Sequence, residues 1–354
     1  MTMADTDLQE EAAPAPPIGP LLARAGAGWL APLRAQLGAL QDQGRLPHGL
    51  LLAGSPGAGQ ADIGAWLAAR LLCRAEPAGA CGQCADCRLF LAGNHPDFYW
   101  IGVLPDKKDI SIEQMRQLSL ALSMRSYRGG AKVALISPAE AMNAKAFNAL
   151  LKTLEEPPEN TYLVLAASRI DRMPKTVMSR CMRLRLPLPD APQALAWLGS
   201  RRPDAAWPLL LELAGGAPFL AEEHADAGLG SLAAEMQGAI DAALDGELDI
   251  VGFADVCAKN SPAARLAWLE SWLTRGLKDT ALGSDLVNNN RLPWLRPPGV
   301  ETKIRAAYRL LDQLREARRQ VGGPLNAQLL FEGLAVSLAA LLGRPAQKAG
   351  ESTG

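Results

Sequence analysis

Four cysteines and a glycine-rich loop are the residues of this chain whose types and spacing could do chemistry. Cys73, Cys81, Cys84 and Cys87 follow the spacing C-x7-C-x2-C-x2-C, which brings four thiolates within reach of one tetrahedral ion, the donor set of structural zinc. With all four coordination positions filled by protein, such a centre holds structure and leaves no position for a reacting group. Gly79 and Gly82 ease the tight turns that sulfur ligands two residues apart require. An iron–sulfur cluster takes the same ligands and unligated buried thiols are the plain alternative, but the spacing favours zinc.

The loop Gly54-Ser55-Pro56-Gly57-Ala58-Gly59-Gln60-Ala61 keeps the frame of a phosphate-binding loop, G-x-x-x-x-G-K-[ST], without its working residues. In a functioning loop the backbone N–H groups cradle phosphates, the lysine reaches the β and γ phosphates and the hydroxyl holds magnesium. Here Gln60 and Ala61 stand in the last two positions. Phosphoryl transfer rests on positioning and charge stabilisation, so losing both groups should abolish it. A later strand that should end in a magnesium-holding carboxylate runs instead into Ser137-Pro138, and Glu140 is displaced by two residues. Gly54, Gly57, Gly59 and Gln60 therefore read either as an ordinary strand-to-helix turn or as a nucleotide site that no longer works. Two separate losses in a correctly ordered fold favour the second.

The surrounding pattern must position these groups. Leu30, Leu33, Leu37 and Leu40 recur at helical spacing over 29–43. The apolar run 48–52 predicts a strand, and the Ala- and Leu-rich stretch 61–73 a helix after the loop. Further strands are predicted at 98–101, 133–136, 162–166 and 182–186, alternating with helices over 112–124 and 143–154, which implies a parallel α/β sheet. The second of those helices ends before Pro157-Pro158, since proline lacks a donor and disfavours helical geometry in the residue before it. Beyond the Pro-rich stretch 187–192 only helices are predicted, the longest over 263–277, 304–320 and 325–342.

The chain has 354 residues, 49% of them hydrophobic, and a formal net charge of −1. It is long enough for two or three cores, and it lacks the global positive field that would hold nucleic acid by itself. The first 20 residues carry no basic start or apolar core of a secretory signal, and no apolar run reaches the length of a membrane span, so a soluble, cytoplasmic protein is expected. Arg125, Arg128 and Lys132 form one modest basic patch that could face DNA. Lys152, Glu155 and Glu156 at a helix end read as a solvated face.

Several stretches together resemble the delta-prime subunits of bacterial DNA polymerase III clamp loaders, relatives of the AAA+ ATPases. They are Arg45-Leu46-Pro47-His48-Gly49-Leu50-Leu51-Leu52, the four cysteines with Gly93-Asn94-His95-Pro96-Asp97, the run Asn148-Ala149-Leu150-Leu151-Lys152-Thr153-Leu154-Glu155-Glu156-Pro157-Pro158, and Ser179-Arg180-Cys181. The match is strong over 40–186 and weaker beyond, where Asn326-Ala327-Gln328-Leu329-Leu330 carries it. The resemblance implies an AAA+-type parallel sheet domain over 23–188 with a zinc module at 73–87, a small helical lid over 189–228 and an all-helical collar over 229–344. A disordered lead over 1–22 and a disordered tail over 345–354 flank these.

It also implies a subunit without ATPase activity of its own, part of the DNA-directed DNA polymerase (nucleotidyltransferase) holoenzyme. Arg180 would be an arginine finger acting in trans on ATP bound by a neighbour. Taken alone, Arg180 reads as a surface ion pair; the resemblance reverses that. Pro218 stands where motor subunits carry a sensing arginine. The partners implied are the gamma/tau ATPase subunits and the delta subunit in a hetero-oligomeric ring, with the sliding clamp and primed DNA reached through the complex. The alternative is an active clamp-loader-type ATPase with an unconventional loop that uses Gln60 and Glu140.

Overall fold

A computed structural model describes residues 15–75, 79–105, 107–203, 206–281, 300–321 and 326–342. These divide into two compact units, one taking the chain up to Arg201 together with Gly216–Leu220, the other taking Arg202–Gly215 and the chain from Ala221.

The first unit opens with α1 (Ile18–Ala25), a short 3-10 turn and α2 (Ala31–Asp42). Then β1 (Gly49–Ala53), α3 (Gln60–Leu72), α4 (Ala85–Leu91), β2 (Phe98–Ile101), α5 (Ile112–Ser123), β3 (Lys132–Ile136), α6 (Ala144–Glu155), β4 (Thr161–Ala167), α7 (Lys175–Met178), β5 (Met182–Arg185) and α8 (Ala191–Arg201) follow in alternation. The five strands form one parallel sheet in the order β2-β3-β4-β1-β5. This is the α/β sheet that the alternation predicts and the resemblance to AAA+ proteins implies.

Strands covered on both faces need apolar residues at every position, and β1 and β3 are buried throughout. Their alternate residues feed two cores. Leu50, Leu52, Val133, Leu135, Val164 and Ala166 pack with Ile63, Leu67 and Phe90 on one face. Leu51, Ala134, Ile136, Leu163 and Leu165 pack with Met115, Leu118, Phe147 and Leu150 on the other. Helix starts are capped as their sequences suggest. Ser111 and Gln114 form a reciprocal capping box on α5, and Asn143 accepts the N–H of Ala146 on α6.

The disordered lead expected over 1–22 needs correction at its end. α1 begins at Ile18 because Ile18, Leu21 and Ala25 lie at helical spacing and are buried. The rest of that lead, up to residue 14, and the expected tail over 345–354 lie outside the described residues.

In the second unit the helices α9 (Trp207–Leu213), α11 (Leu229–Asp245), α12 (Ile250–Lys259), α13 (Pro262–Ala281), α14 (Val300–Gln320) and α15 (Ala327–Leu342) share one apolar core. Helix α10 (Pro218–Asp226) precedes α11, and its first residues, through Leu220, belong to the first unit. Among the described residues no strand follows β5, and no helix is long and apolar enough to cross a membrane.

Candidate functional site

The glycine loop joins β1 to α3, where a phosphate loop would lie, and it is filled by the chain's own atoms. The Gln60 amide turns back into the loop, donating to Gly54 O at 2.8 Å and Ser55 O at 3.0 Å, with Ala167 O and Ser168 Oγ both 3.4 Å away. A side chain with two N–H donors facing four acceptors has none left to offer a ligand. Gly57 and Gly59 adopt φ of +73° and +101°, the left-handed region open to glycine, and both are covered. A Cβ on Gly57 would come within 2.4 Å of Leu220 Cβ and 2.6 Å of Leu220 N, and one on Gly59 within 2.7 Å of Phe219 Cε2.

Phe219 is held there by its neighbours. Its ring lies 5.6 Å from that of Trp29 and 5.2 Å from that of Trp197, and the two tryptophans meet edge to face at 5.4 Å. The Arg24 guanidinium sits 5.5 Å from the Phe219 ring and pairs with Asp62 in the first turn of α3 at 2.8 Å. Pro218, read from the sequence as standing in place of the sensing arginine of motor subunits, is the first residue of α10, where proline's missing donor costs nothing. Sequence reasoning missed the seating of Phe219 and Leu220 on the loop; the apolar pair directly after Gly215-Gly216-Ala217-Pro218 was its only signal.

At the end of β3, Ser137 and Pro138 stand where a magnesium-holding carboxylate would be. Glu140 spends one carboxylate oxygen on the N–H groups of Ser168 and Arg169, at 3.0 and 3.1 Å, so it braces the end of β4.

Arg180 follows α7, exposed, while the next residue, Cys181, is buried. Its Nη1 donates to Thr176 O at 3.0 Å and lies 3.4 Å from Ser179 Oγ, and its Nη2 forms an ion pair with Glu155 Oε1 at 2.6 Å. The surface ion pair that an isolated arginine suggests is therefore present. Its partner, the last residue of α6, is one of the charges that read as a solvated face.

The four cysteine sulfurs all lie within 4.8 Å of one another, with Cys73 and Cys84 at 4.0 Å and Cys81 and Cys87 at 3.9 Å. A single tetrahedral ion with metal–sulfur bonds of about 2.3 Å sets its ligands about 3.8 Å apart, so the donor set fits one ion. Backbone donors point at the sulfurs: Cys84 N at Cys81 Sγ (3.3 Å), Cys87 N at Cys84 Sγ (3.4 Å) and Cys81 N at Cys73 Sγ (3.5 Å). The Cys87 N–H is the main reason the Cys84 thiol is lowered to about 6, whereas burial pushes Cys87 up to about 12.

A polar cross-brace ties this module to the sheet. Burial raises the Asp86 pKa, but the Arg128 hydrogen bond at 2.7 Å and the charges of Arg128, His95 and Arg74 outweigh it, and the net shift is downward. His95 is buried, accepts the Asp97 N–H at 3.1 Å and lies 3.5 Å from Asp86 Oδ1. Burial lowers its pKa despite Asp97 and Asp86. Asp97 in turn accepts the N–H groups of Tyr127 and Arg128 and the hydroxyl of Ser126.

The basic patch read from Arg125, Arg128 and Lys132 does not form. Arg128 is committed to Asp86, and Lys132 is buried, donating to the carbonyls of Leu122 and of Met124 at the end of α5. Of the three, Arg125 is the one left exposed without an ion pair among the described residues.

A family model described as DNA polymerase III, delta subunit, matches residues 31–190. The chain is 41% identical to DNA polymerase III subunit delta' of Pseudomonas aeruginosa over 198 residues, 55% of this chain and 60% of that relative. It is 34% identical to the subunit delta' of Yersinia pestis over 303 residues, 83% of this chain and 88% of that relative. A crystal structure of a DNA polymerase III gamma subunit-related protein from Thermotoga maritima aligns with 87% of the chain at 17% identity and a TM-score of 0.44, covering 99% of that chain. The similarity to the Yersinia pestis subunit over most of both chains means that the chain belongs to the DNA polymerase III delta' subunit family.

Proposed function

We propose that this chain is a non-hydrolysing subunit of a clamp loader, which completes the ATP site of a neighbouring subunit with Arg180 and helps to load the sliding clamp onto primed DNA in the cytoplasm. One observation carries the reading. The loop that would hold phosphates is occupied by Gln60 from within and by Leu220 and Phe219 from above. A loop in this state has neither the lysine and hydroxyl nor the room that phosphoryl transfer needs.

In this reading residues 23–188 are the AAA+-like domain, 189–228 the lid and 229–344 the collar. The partners are the gamma/tau ATPase subunits and the delta subunit. Arg180 then supplies a charge-assisted fork that meets the γ-phosphate of a neighbour's ATP as charge develops on it, an effect worth roughly 10³ to 10⁵ in rate. ATP hydrolysis by a complex reconstituted with and without this chain tests the reading. The isolated chain is expected to turn over no ATP and the complex to need it for full activity; magnesium-dependent turnover by the isolated chain would overturn the reading.

Restoring the motif alone is expected to fail. The double variant Gln60→Lys, Ala61→Thr recreates the motif residues but leaves Gly57 and Gly59 covered. Titration with a fluorescent ATP analogue and magnesium should therefore show no saturable binding. Saturable binding would mean that Leu220 and Phe219 do not close the loop.

Zinc is the ion proposed for Cys73, Cys81, Cys84 and Cys87. When bound it cross-links the segment between α3 and α4 and supplies no reaction chemistry. Cys84→Ser removes one ligand and is expected to lower the zinc content found by elemental analysis. A full equivalent retained would mean that these thiols are not its site.

A further inference from the structure

We infer that Glu155 is a positioning residue for Arg180, holding its guanidinium in the pose from which it reaches a neighbour's phosphates. The inference rests on the reading of Arg180 as an arginine acting in trans.

Two hydrogen-bond acceptors and one ion-pair partner, from two elements, converge on this one exposed side chain. Thr176 O and Ser179 Oγ come from α7 and the turn after it, and Glu155 Oε1 comes from the last residue of α6. The carboxylate stands on a fixed base. Leu154 beside it is buried in the core and its carbonyl lies 2.9 Å from His48 Nε2, while Pro157 and Pro158 end the segment. Of the two adjacent carboxylates at this helix end, Glu155 pairs with Arg180 and Glu156 forms no ion pair among the described residues.

The geometry leaves the arginine usable. A guanidinium has five N–H donors in a rigid plane, and here the hydrogen bonds among the described residues are made by Nη1, while Nη2 is held by the ion pair with Glu155 and Nε–H stays open to a ligand. A free arginine must give up its rotamer freedom when it docks, and a side chain already held has less to lose. The pair is exposed, with side-chain accessibilities of 37% for Arg180 and 50% for Glu155. It adds little to folding stability, which leaves orientation as what it contributes.

The carboxylate both orients and partly neutralises the guanidinium, and two substitutions separate these effects. Glu155→Gln keeps an acceptor oxygen and removes the charge, whereas Glu155→Ala removes both. In a reconstituted complex, with ATP turnover read per assembled complex after gel filtration, Glu155→Ala is expected to lower kcat about fivefold at unchanged KM, the upper reach of an exposed pair. Glu155→Gln should stay within about twofold of the parent, since a neutral acceptor can still orient the fork.

In an Arg180→Ala background, Glu155→Ala should add no further loss. A further loss there would overturn the inference, because Glu155 would then act on something other than Arg180. A normal Glu155→Ala complex beside an impaired Arg180→Ala complex would overturn this inference and leave the trans arginine standing. A normal Arg180→Ala complex would overturn both.

Discussion

Arg180→Ala is expected to lower ATP turnover at the neighbour's site on the order of 10³-fold while leaving the complex assembled. The side chain is exposed and its interactions among the described residues are one ion pair with Glu155 and two contacts within its own turn, so its removal costs the fold little. The loss should appear in DNA-stimulated hydrolysis by the reconstituted complex, with the elution volume on gel filtration unchanged. Arg180→Lys should recover little of it, because an ammonium is a point charge without the planar fork that meets two phosphate oxygens at once. Undiminished hydrolysis with alanine at this position would remove Arg180 from the chemistry.

The second large effect is on stability. Gly57→Ala places a methyl group 2.4 Å from Leu220 Cβ and 2.6 Å from Leu220 N at a residue with φ of +73°. The left-handed conformation costs a residue with a Cβ about 1–2 kcal/mol, and forcing an extra carbon into a packed contact costs about 1–3 kcal/mol more. A loss of roughly 2–5 kcal/mol is expected from urea denaturation of the full chain. Gly44 provides the control. It has a similar φ of +65° and nothing within 4 Å of an added Cβ, so Gly44→Ala should cost only the conformational part, about 1–2 kcal/mol. Equal losses in the two variants would show that Leu220 does not press on the loop.

The strands were legible because buried parallel strands must be apolar at every position. The runs predicted at 133–136 and 162–166 became Lys132–Ile136 and Thr161–Ala167. The helix ending before Pro157 was equally legible, because an asparagine cap and a proline pair mark its ends locally.

What stayed hidden depends on contacts between residues far apart in the chain. Leu220 meets Gly57 across more than 160 residues, and nothing near either one announces the other. Lys132 looked like part of a basic surface because a lysine usually is one. Its ammonium is buried because it finds the free carbonyls at the end of α5. Glu155 is exposed, as its place at a helix end suggested; what stayed hidden is its ion pair with Arg180. The candidate sites were thus legible as residue types and spacings, and their occupancy and partners were not.

The Gln60 amide has a consequence for how such a loop can change over generations. A lysine at that position would bring three N–H donors to the same oxygens that now hold the amide, with Leu220 still overhead, so its charge would be spent within the loop. Smaller residues at 219 or 220 would uncover glycines that lack any cation to meet a phosphate. No single substitution toward a nucleotide site therefore confers binding by itself, and selection acting one codon at a time would have nothing to favour. The loop is entrenched, and a chain in that position keeps the fold of an ATPase without a short mutational route to becoming one.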